Sequence, residues 1–181
     1  MISNDLWLLI AGSTLLAAEC APSLIVHHDY DRAADFARLE TFDWVRSWHR
    51  RSPADLHDSN PFLDSRIRQA IEAELLEHGL RKARGTAPDM LVAYYAATDA
   101  MIDADTVGEF EMAWSNSTGT RSVRLYEPGT LVIDMADART RRAIWRGWGR
   151  GAFGHGTNAA REDESLRQAV DMILAAFPPF A

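Results

Sequence analysis

The residues with the most chemical capacity in this chain are a cysteine, a histidine pair, a glycine-rich run and a few clustered acids. His27-His28-Asp29, with Asp31 nearby, has the residue types of a metal site. Adjacent histidines on a strand point to opposite faces, so one strand cannot offer both to a single ion, and His49, His57 or His155 would have to be brought in by the fold. Surface polarity is the expectation there, with no metal. Gly147-Trp148-Gly149-Arg150-Gly151 and Gly154-His155-Gly156 precede a helical pattern, as phosphate-binding loops do. Their spacing fits neither the P-loop nor the dinucleotide fingerprint, and no Lys-Ser/Thr follows. A flexible strand-to-helix connection is expected over Gly147–Gly156, without a cofactor. No G-x-S-x-G elbow occurs, and Asp103 and Asp105 fall in a polar stretch where solvation explains them.

Cys20, the chain's single cysteine, lies directly behind its longest apolar run, Leu6 to Ala18. That run has the length of a signal-peptide core and falls short of the ~20 residues a membrane-spanning helix needs. Leu16-Ala17-Ala18-Glu19-Cys20 resembles a lipobox, in which small residues precede a cysteine that becomes acylated and then N-terminal. Glu19 replaces the usual small residue, and Met1 to Asp5 carries no Lys or Arg. Three readings stand: a cleaved lipoprotein, an exported protein cleaved elsewhere or kept as an uncleaved anchor, and a cytosolic protein with an apolar N-terminal helix. The first leads, because it explains why the cysteine falls at this boundary. It assigns 1–19 to a signal peptide, 20–23 to a tether and 24–181 to one α+β envelope domain.

The 181 residues are 47% hydrophobic, enough for a core, and a lone cysteine excludes an intramolecular disulfide. Net charge is −7, and loss of Asp5 and Glu19 with a signal would leave the remainder acidic. An acidic domain lacks the basic face of a nucleic-acid binder, so no nucleic-acid partner is expected.

The elements that must position any site follow from periodicity. Ser23 to His28 and Thr41 to Trp44 are β-prone. Arg46 to Ser59 is polar and loop-like. Asn60 suits an N-cap, Pro61 the first helical position, and Leu63, Ile67, Ala70, Ile71 and Leu75 form a helical stripe closed by Gly79. Pro88 to Ala97 is continuously apolar, as in a strand buried on both faces. Phe110 to Trp114 alternates like a strand, before a turn at Asn116 to Gly119. Thr130 to Met135 and Ala143 to Trp148 predict a hairpin. A last helix starts near Ala159, carries Leu166, Ala169, Val170, Ile173 and Leu174, and stops at Pro178-Pro179. The expected architecture is a two-layer α+β sandwich, with two amphipathic helices packed on one face of a mostly antiparallel sheet.

Taken in order, these blocks resemble the bacterial lipoprotein-associated domain of unknown function 4136. The matching stretches include Asp29-Tyr30-Asp31, Ala34-Asp35-Phe36, Thr41-Phe42-Asp43-Trp44 and Asn60 to Ile67. They continue through Glu72-Ala73-Glu74-Leu75, Gly79-Leu80, Pro88 to Tyr94, Gly129 to Asp134, Trp145-Arg146-Gly147 and Phe177-Pro178-Pro179. The resemblance implies an α+β fold and a cell-envelope location, commonly by lipid anchoring. It implies no enzymatic activity and lends no catalytic residues.

The expected function is therefore a non-enzymatic envelope scaffold or interaction domain facing the periplasm. Its membrane contact would run through a lipid on Cys20, and its partner would be another envelope protein. Trp44 and Trp145 are expected in the core, while Trp48 and Trp148, near strand ends, are the candidate interaction surface. The alternative is a small-ligand-binding or hydrolytic protein using a groove beside Gly147–Gly156, with Arg150 and His155 as its polar groups.

Overall fold

The computed structural model describes residues 24–45, 61–97, 129–151 and 158–179. In chain order these form β1 (Ile25–Tyr30), a 3-10 turn (Phe36–Arg38), β2 (Thr41–Trp44) and α1 (Pro61–Glu77). Then come β3 (Arg81–Lys82), β4 (Met90–Ala97), β5 (Thr130–Asp137), β6 (Ala143–Arg150) and α2 (Ala159–Leu174). The strands make one sheet in the order β1-β6-β5-β4-β2-β3. The expected strand near 110–114, the loop over 46–59 and the cap at residue 60 lie outside the described residues.

The sheet is mixed, which corrects the expectation of a mostly antiparallel one. β1, β6, β5 and β4 pair antiparallel, whereas β2 runs parallel to both β4 and β3. The cause is connectivity. Parallel neighbours need a long crossover that returns the chain to the starting end, and a helix usually supplies it. The 17-residue α1 lies in the connection from β2 to β3 and β4 and allows that direction.

α1 forms where its stripe predicts. Ile67, Ile71 and Leu75 are fully buried, each worth about 1.5–3 kcal/mol of transfer free energy. The helix closes at Gly79, whose φ of 84° is left-handed. Leu80 N–H donates to the Leu75 carbonyl and Gly79 N–H to the Leu76 carbonyl, both at 3.0 Å. Those two bonds make a Schellman end, and buried Leu80 packs back toward buried Leu75. α2 starts on Asn158, whose side chain accepts from Ala160 N–H at 2.9 Å.

One core cluster unites both helices with one face of the sheet: Phe42 and Trp44 of β2, Val92 and Tyr94 of β4, Ile133 and Met135 of β5, and Trp145 of β6. Leu91, Ala93 and Ala136 form a smaller cluster on the opposite face. β4 is thus buried on both faces, as its apolar run implies, and all eight residues of β5 are buried.

Gly147 to Arg150 belong to β6, paired to β1 and β5, and are not the start of a loop. Glycine serves close approach there. A Cβ on Gly147 would lie 2.3 Å from the Trp145 ring and 2.7 Å from Ile173 of α2, and one on Gly149 would lie 3.1 Å from Ile173. The bare backbone lets the indole lie across the strand and α2 settle onto it.

Gly147→Ala is therefore expected to lose about 1–3 kcal/mol by overpacking. Gly85→Ala, with open space around it but φ of 76°, tests backbone strain alone. Urea unfolding of both decides the point: a Gly147→Ala protein as stable as wild type would remove the close-packing account of β6.

Candidate functional site

Two polar constellations are built into this framework. The first crosses the sheet face opposite the helices. Register places Asp29 of β1, Arg146 of β6, Asp134 of β5 and Ala93 of β4 side by side. Arg146 Nε–H and one terminal N–H donate to the two Asp134 oxygens at 2.6 and 2.8 Å. The Asp134 side chain is 2% exposed and that of Arg146 20% exposed. A buried carboxylate is tolerable only with such a partner, and the planar fork supplies two bonds at once. Two register positions along, the Trp148 indole stacks on His27 with centroids 5.3 Å apart and planes 24° from parallel.

The second joins α1 to the sheet. Tyr94 O–H donates to Asp64, and Arg68 Nε–H reaches both Asp64 oxygens at 3.1 Å. The Arg68 guanidinium lies 4.5 Å over the Trp44 ring and 5.7 Å from that of Tyr94, a cation–π arrangement. One turn on, Glu72 accepts from Trp44 Nε1–H at 2.6 Å and from Lys82. α1 places Asp64, Arg68 and Glu72 at successive i,i+4 positions, so one helix edge lays three charges along two aromatic rings. Burial, then the hydrogen bond to Asp64 and its charge, push the Tyr94 phenol far above its ordinary value. Tyr94 is a permanent donor and not a base. Burial alone would raise Glu72, but hydrogen bonds from Lys82 and Trp44 outweigh it and hold the carboxyl below its usual range.

Two further carboxylates fix chain turns. Asp137 accepts from the Thr140 N–H at 2.7 Å, the Thr140 hydroxyl at 2.9 Å, and Arg38. Burial opposes its ionised form, and those donors still depress its pKa. Asp89 is depressed chiefly by the Thr41 hydroxyl at 2.7 Å, against burial and with help from the Glu40 and Thr41 N–H groups. Among the described residues, Trp145 Nε1 and Arg66 Nε are buried without a hydrogen-bond partner. Each costs stability, and neither is a nucleophile or base.

His27 and His28 do face opposite ways: His27 meets Trp148, while His28 lies 6.3 Å from Tyr30. Among the described residues no group of three His, Cys, Asp or Glu could hold a metal ion. Trp44 and Trp145 are buried as expected. Trp148 is half-buried in β6 and Arg150 exposed at its end. Cys20, Trp48, His49, His57, Asp103, Asp105 and His155 lie outside the described residues. The Asp134–Arg146 pair and the Asp64–Tyr94–Arg68 network went unread in the sequence. An acid inside the apolar run Leu131 to Met135 was the available signal for the first.

The arrangement defines an α+β protein whose polar groups hold its own elements together. Residues 26–179 match the family described as domain of unknown function (DUF4136), and the chain belongs to that family. Its fold is similar to that of a DUF4136 family protein from Bacteroides thetaiotaomicron. That likeness has a TM-score of 0.54 at 13% identity, over 86% of this chain and 96% of the other. A PDZ domain protein from Parabacteroides distasonis is similar with a TM-score of 0.52 at 15% identity over 87% of this chain. This chain spans only 37% of that protein's length. At these identities the likenesses show the fold. No curated protein matches the sequence.

Two outcomes follow from the site. Asp134→Ala, which strands Arg146 in a largely buried place, is expected to cost about 3–5 kcal/mol. An Asp134→Leu/Arg146→Met double variant should cost less than that single one, and chemical denaturation of both checks the order. Glu72, Asp89 and Asp137 have depressed native pKa values. Their contribution is therefore present above the unfolded values, about 4, and lost as pH falls through the lower native ones. The melting temperature should hold from pH 7 to about 5 and drop below about 4, with a smaller drop for Asp137→Asn. A melting temperature that rises on acidification would contradict this.

Proposed function

We propose that this protein is a bacterial cell-envelope lipoprotein, anchored through Cys20, whose folded part is a two-layer, non-enzymatic scaffold or interaction domain. One observation supports the non-enzymatic reading above others. The two buried carboxylates of the described residues, Asp134 and Asp137, are each committed to an arginine. Catalytic acids and bases need a shifted pKa together with access to substrate, whereas groups locked in mutual pairs serve packing. The family has no described function, and no catalytic activity is indicated for it.

The anchoring part of the proposal rests on the sequence. An apolar run of signal length ends in small residues, and the single cysteine follows. Two acyl chains, at ~0.8 kcal/mol per buried methylene, would hold the protein stably on a bilayer. Its partners are then the membrane and an envelope protein, met through aromatic surface such as Trp48 and Trp148. The competing reading, a ligand or hydrolytic groove beside Gly147–Gly156, loses part of its frame because Gly147 to Arg150 are spent in strand pairing.

Intact-mass measurement of the membrane-fraction protein, beside a Cys20→Ala variant, tests the anchor. Wild type should begin at residue 20 and carry acyl mass, and the variant should leave the membrane fraction. A wild-type mass without acyl groups, or an N-terminus at Met1, would sink the lipoprotein reading.

A further inference from the structure

The sheet treats its two edges differently. One edge is β3, two residues long, with both Arg81 and Lys82 tied into ion pairs. Short, charged edge strands discourage a neighbour from adding on. The other edge is β1, six residues long and without proline, lysine or arginine. It follows β6 one for one, from Ile25–Arg150 to Tyr30–Trp145, with no bulge. His27, His28 and Asp29 are exposed along it.

One contact fixes which way its backbone groups point. Asp31 N–H donates to the Ile144 carbonyl at 2.9 Å, and that pair continues the β1–β6 register. Direction alternates along a strand, so Ile25, His27 and Asp29 bond to β6, while Val26, His28 and Tyr30 turn their groups outward. The Tyr30 N–H agrees, being met by the adjacent Asp29 Oδ1 at 2.9 Å and not by β6.

We propose that β1 pairs antiparallel with β1 of a second copy, about a two-fold axis through His28, joining two six-stranded sheets into one. This register opposes Val26 to Tyr30 of the second copy on the helix side of the sheet. On the other side it opposes His27 to Asp29 of the second copy, and does so twice by symmetry. An imidazole N–H can donate to a carboxylate whether or not the ring is charged. Asp29 gives up the Tyr30 N–H to the incoming strand and turns to that imidazole. The row Asp134, Arg146, Asp29 of one copy then runs on into the His27–Trp148 stack of the other. An axis through His27 would set His27 against itself and Ile25 against Asp29, losing both contacts.

A second observation falls at the same level. α2 runs parallel to α1: Arg66 meets Asp163 at 2.8 Å near the two helix starts, and His78 meets Phe177 at 6.5 Å just past their ends. Met172 follows Asp163 by about two and a half turns, which puts it on the flank away from α1, and it is 39% exposed. Its neighbour Ile173 lies against Gly147 and Gly149, the partners of His28 and Val26. Met172 is therefore level with the axis. α2 packs on β6 and β1, and strands lie about 4.8 Å apart, so the two copies of α2 fall about 10 Å apart, a helix-packing distance. That seam covers Met172.

The test uses the full chain in mild detergent, with Cys20→Ser throughout, so it does not depend on acylation. Sedimentation should give the mass of two copies, and Asp29→Lys should weaken association about tenfold through its two lost contacts. His28→Pro, tolerable where the N–H points out of an edge strand, should give a monomer with its melting temperature kept. In a hydrogen-bonded pair the Cα atoms lie about 5.5 Å apart, so His28→Cys should oxidise to a linked dimer. Val26→Cys, about 14 Å from its own copy, should not. A monomer at every concentration up to about 100 μM overturns the proposal. So does linkage that is equal at residues 26 and 28. A dimer indifferent to both Asp29→Lys and His28→Pro places the contact elsewhere and overturns it as well.

Discussion

Burial of β5 along its whole length is the constraint on which the rest of this structure depends. A strand hidden on both faces must find apolar neighbours on one side and a solution for every polar group on the other. Leu131, Ile133 and Met135 meet the helices, and Asp134 between them faces the other way. Its carboxylate is nearly without water, and the partner that makes this tolerable is Arg146, directly across the β5–β6 ladder. The hairpin register is therefore set twice, once by the apolar alternation and once by an ion pair. A one-residue slip of β6 would bury Arg146 among the helices, and one of β5 would turn Leu131 and Ile133 out of the core.

The same economy governs contact between α1 and the sheet. Trp44 and Tyr94 meet edge to face with centroids 6.1 Å apart, and each spends its polar atom on an α1 carboxylate. Arg68 covers both rings and neutralises Asp64. An arginine suits this place better than a lysine, since a planar guanidinium can lie over a ring while its edge binds a carboxylate. On the β6 side the device is subtraction, with Gly147 and Gly149 clearing room for Trp145 and Ile173. One helix is thus held by added polar bonds and the other by removed side chains.

Local pattern made most elements legible. The stripe from Leu63 to Leu75, the apolar block ending at Ala97 and the 130–148 hairpin each satisfy a single period over enough residues to exclude the alternatives. The parallel pairing of β2 with β4 and β3 was not legible, because it depends on where α1 returns the chain and not on any residue of β2. The two-residue β3 is too short to show a period. Gly147 to Arg150 misled for a physical reason. Glycine is common in loops, yet here it recurs every second residue between Trp145, Trp148 and Arg150, which is the alternation of a strand with one face stripped bare. Asp134 could have been singled out as an acid in an apolar strand, but its partner emerges only once the hairpin register is fixed. The network around Tyr94 joins residues 28 and 30 positions apart, beyond any local signal.

The pairing of charges and the parallel course of the helices bear on function together. Among the described residues, the buried carboxylates Asp134 and Asp137 are already bonded to arginines and serve packing. Orientation, in turn, is an outcome of topology. Parallel β2 and β4 need a crossover, which α1 supplies by starting toward the end of β4 that carries Tyr94. The ion pair between Arg66 and Asp163 then brings the start of α2 to the same pole. β1, added at the sheet edge antiparallel to β6, begins there as well.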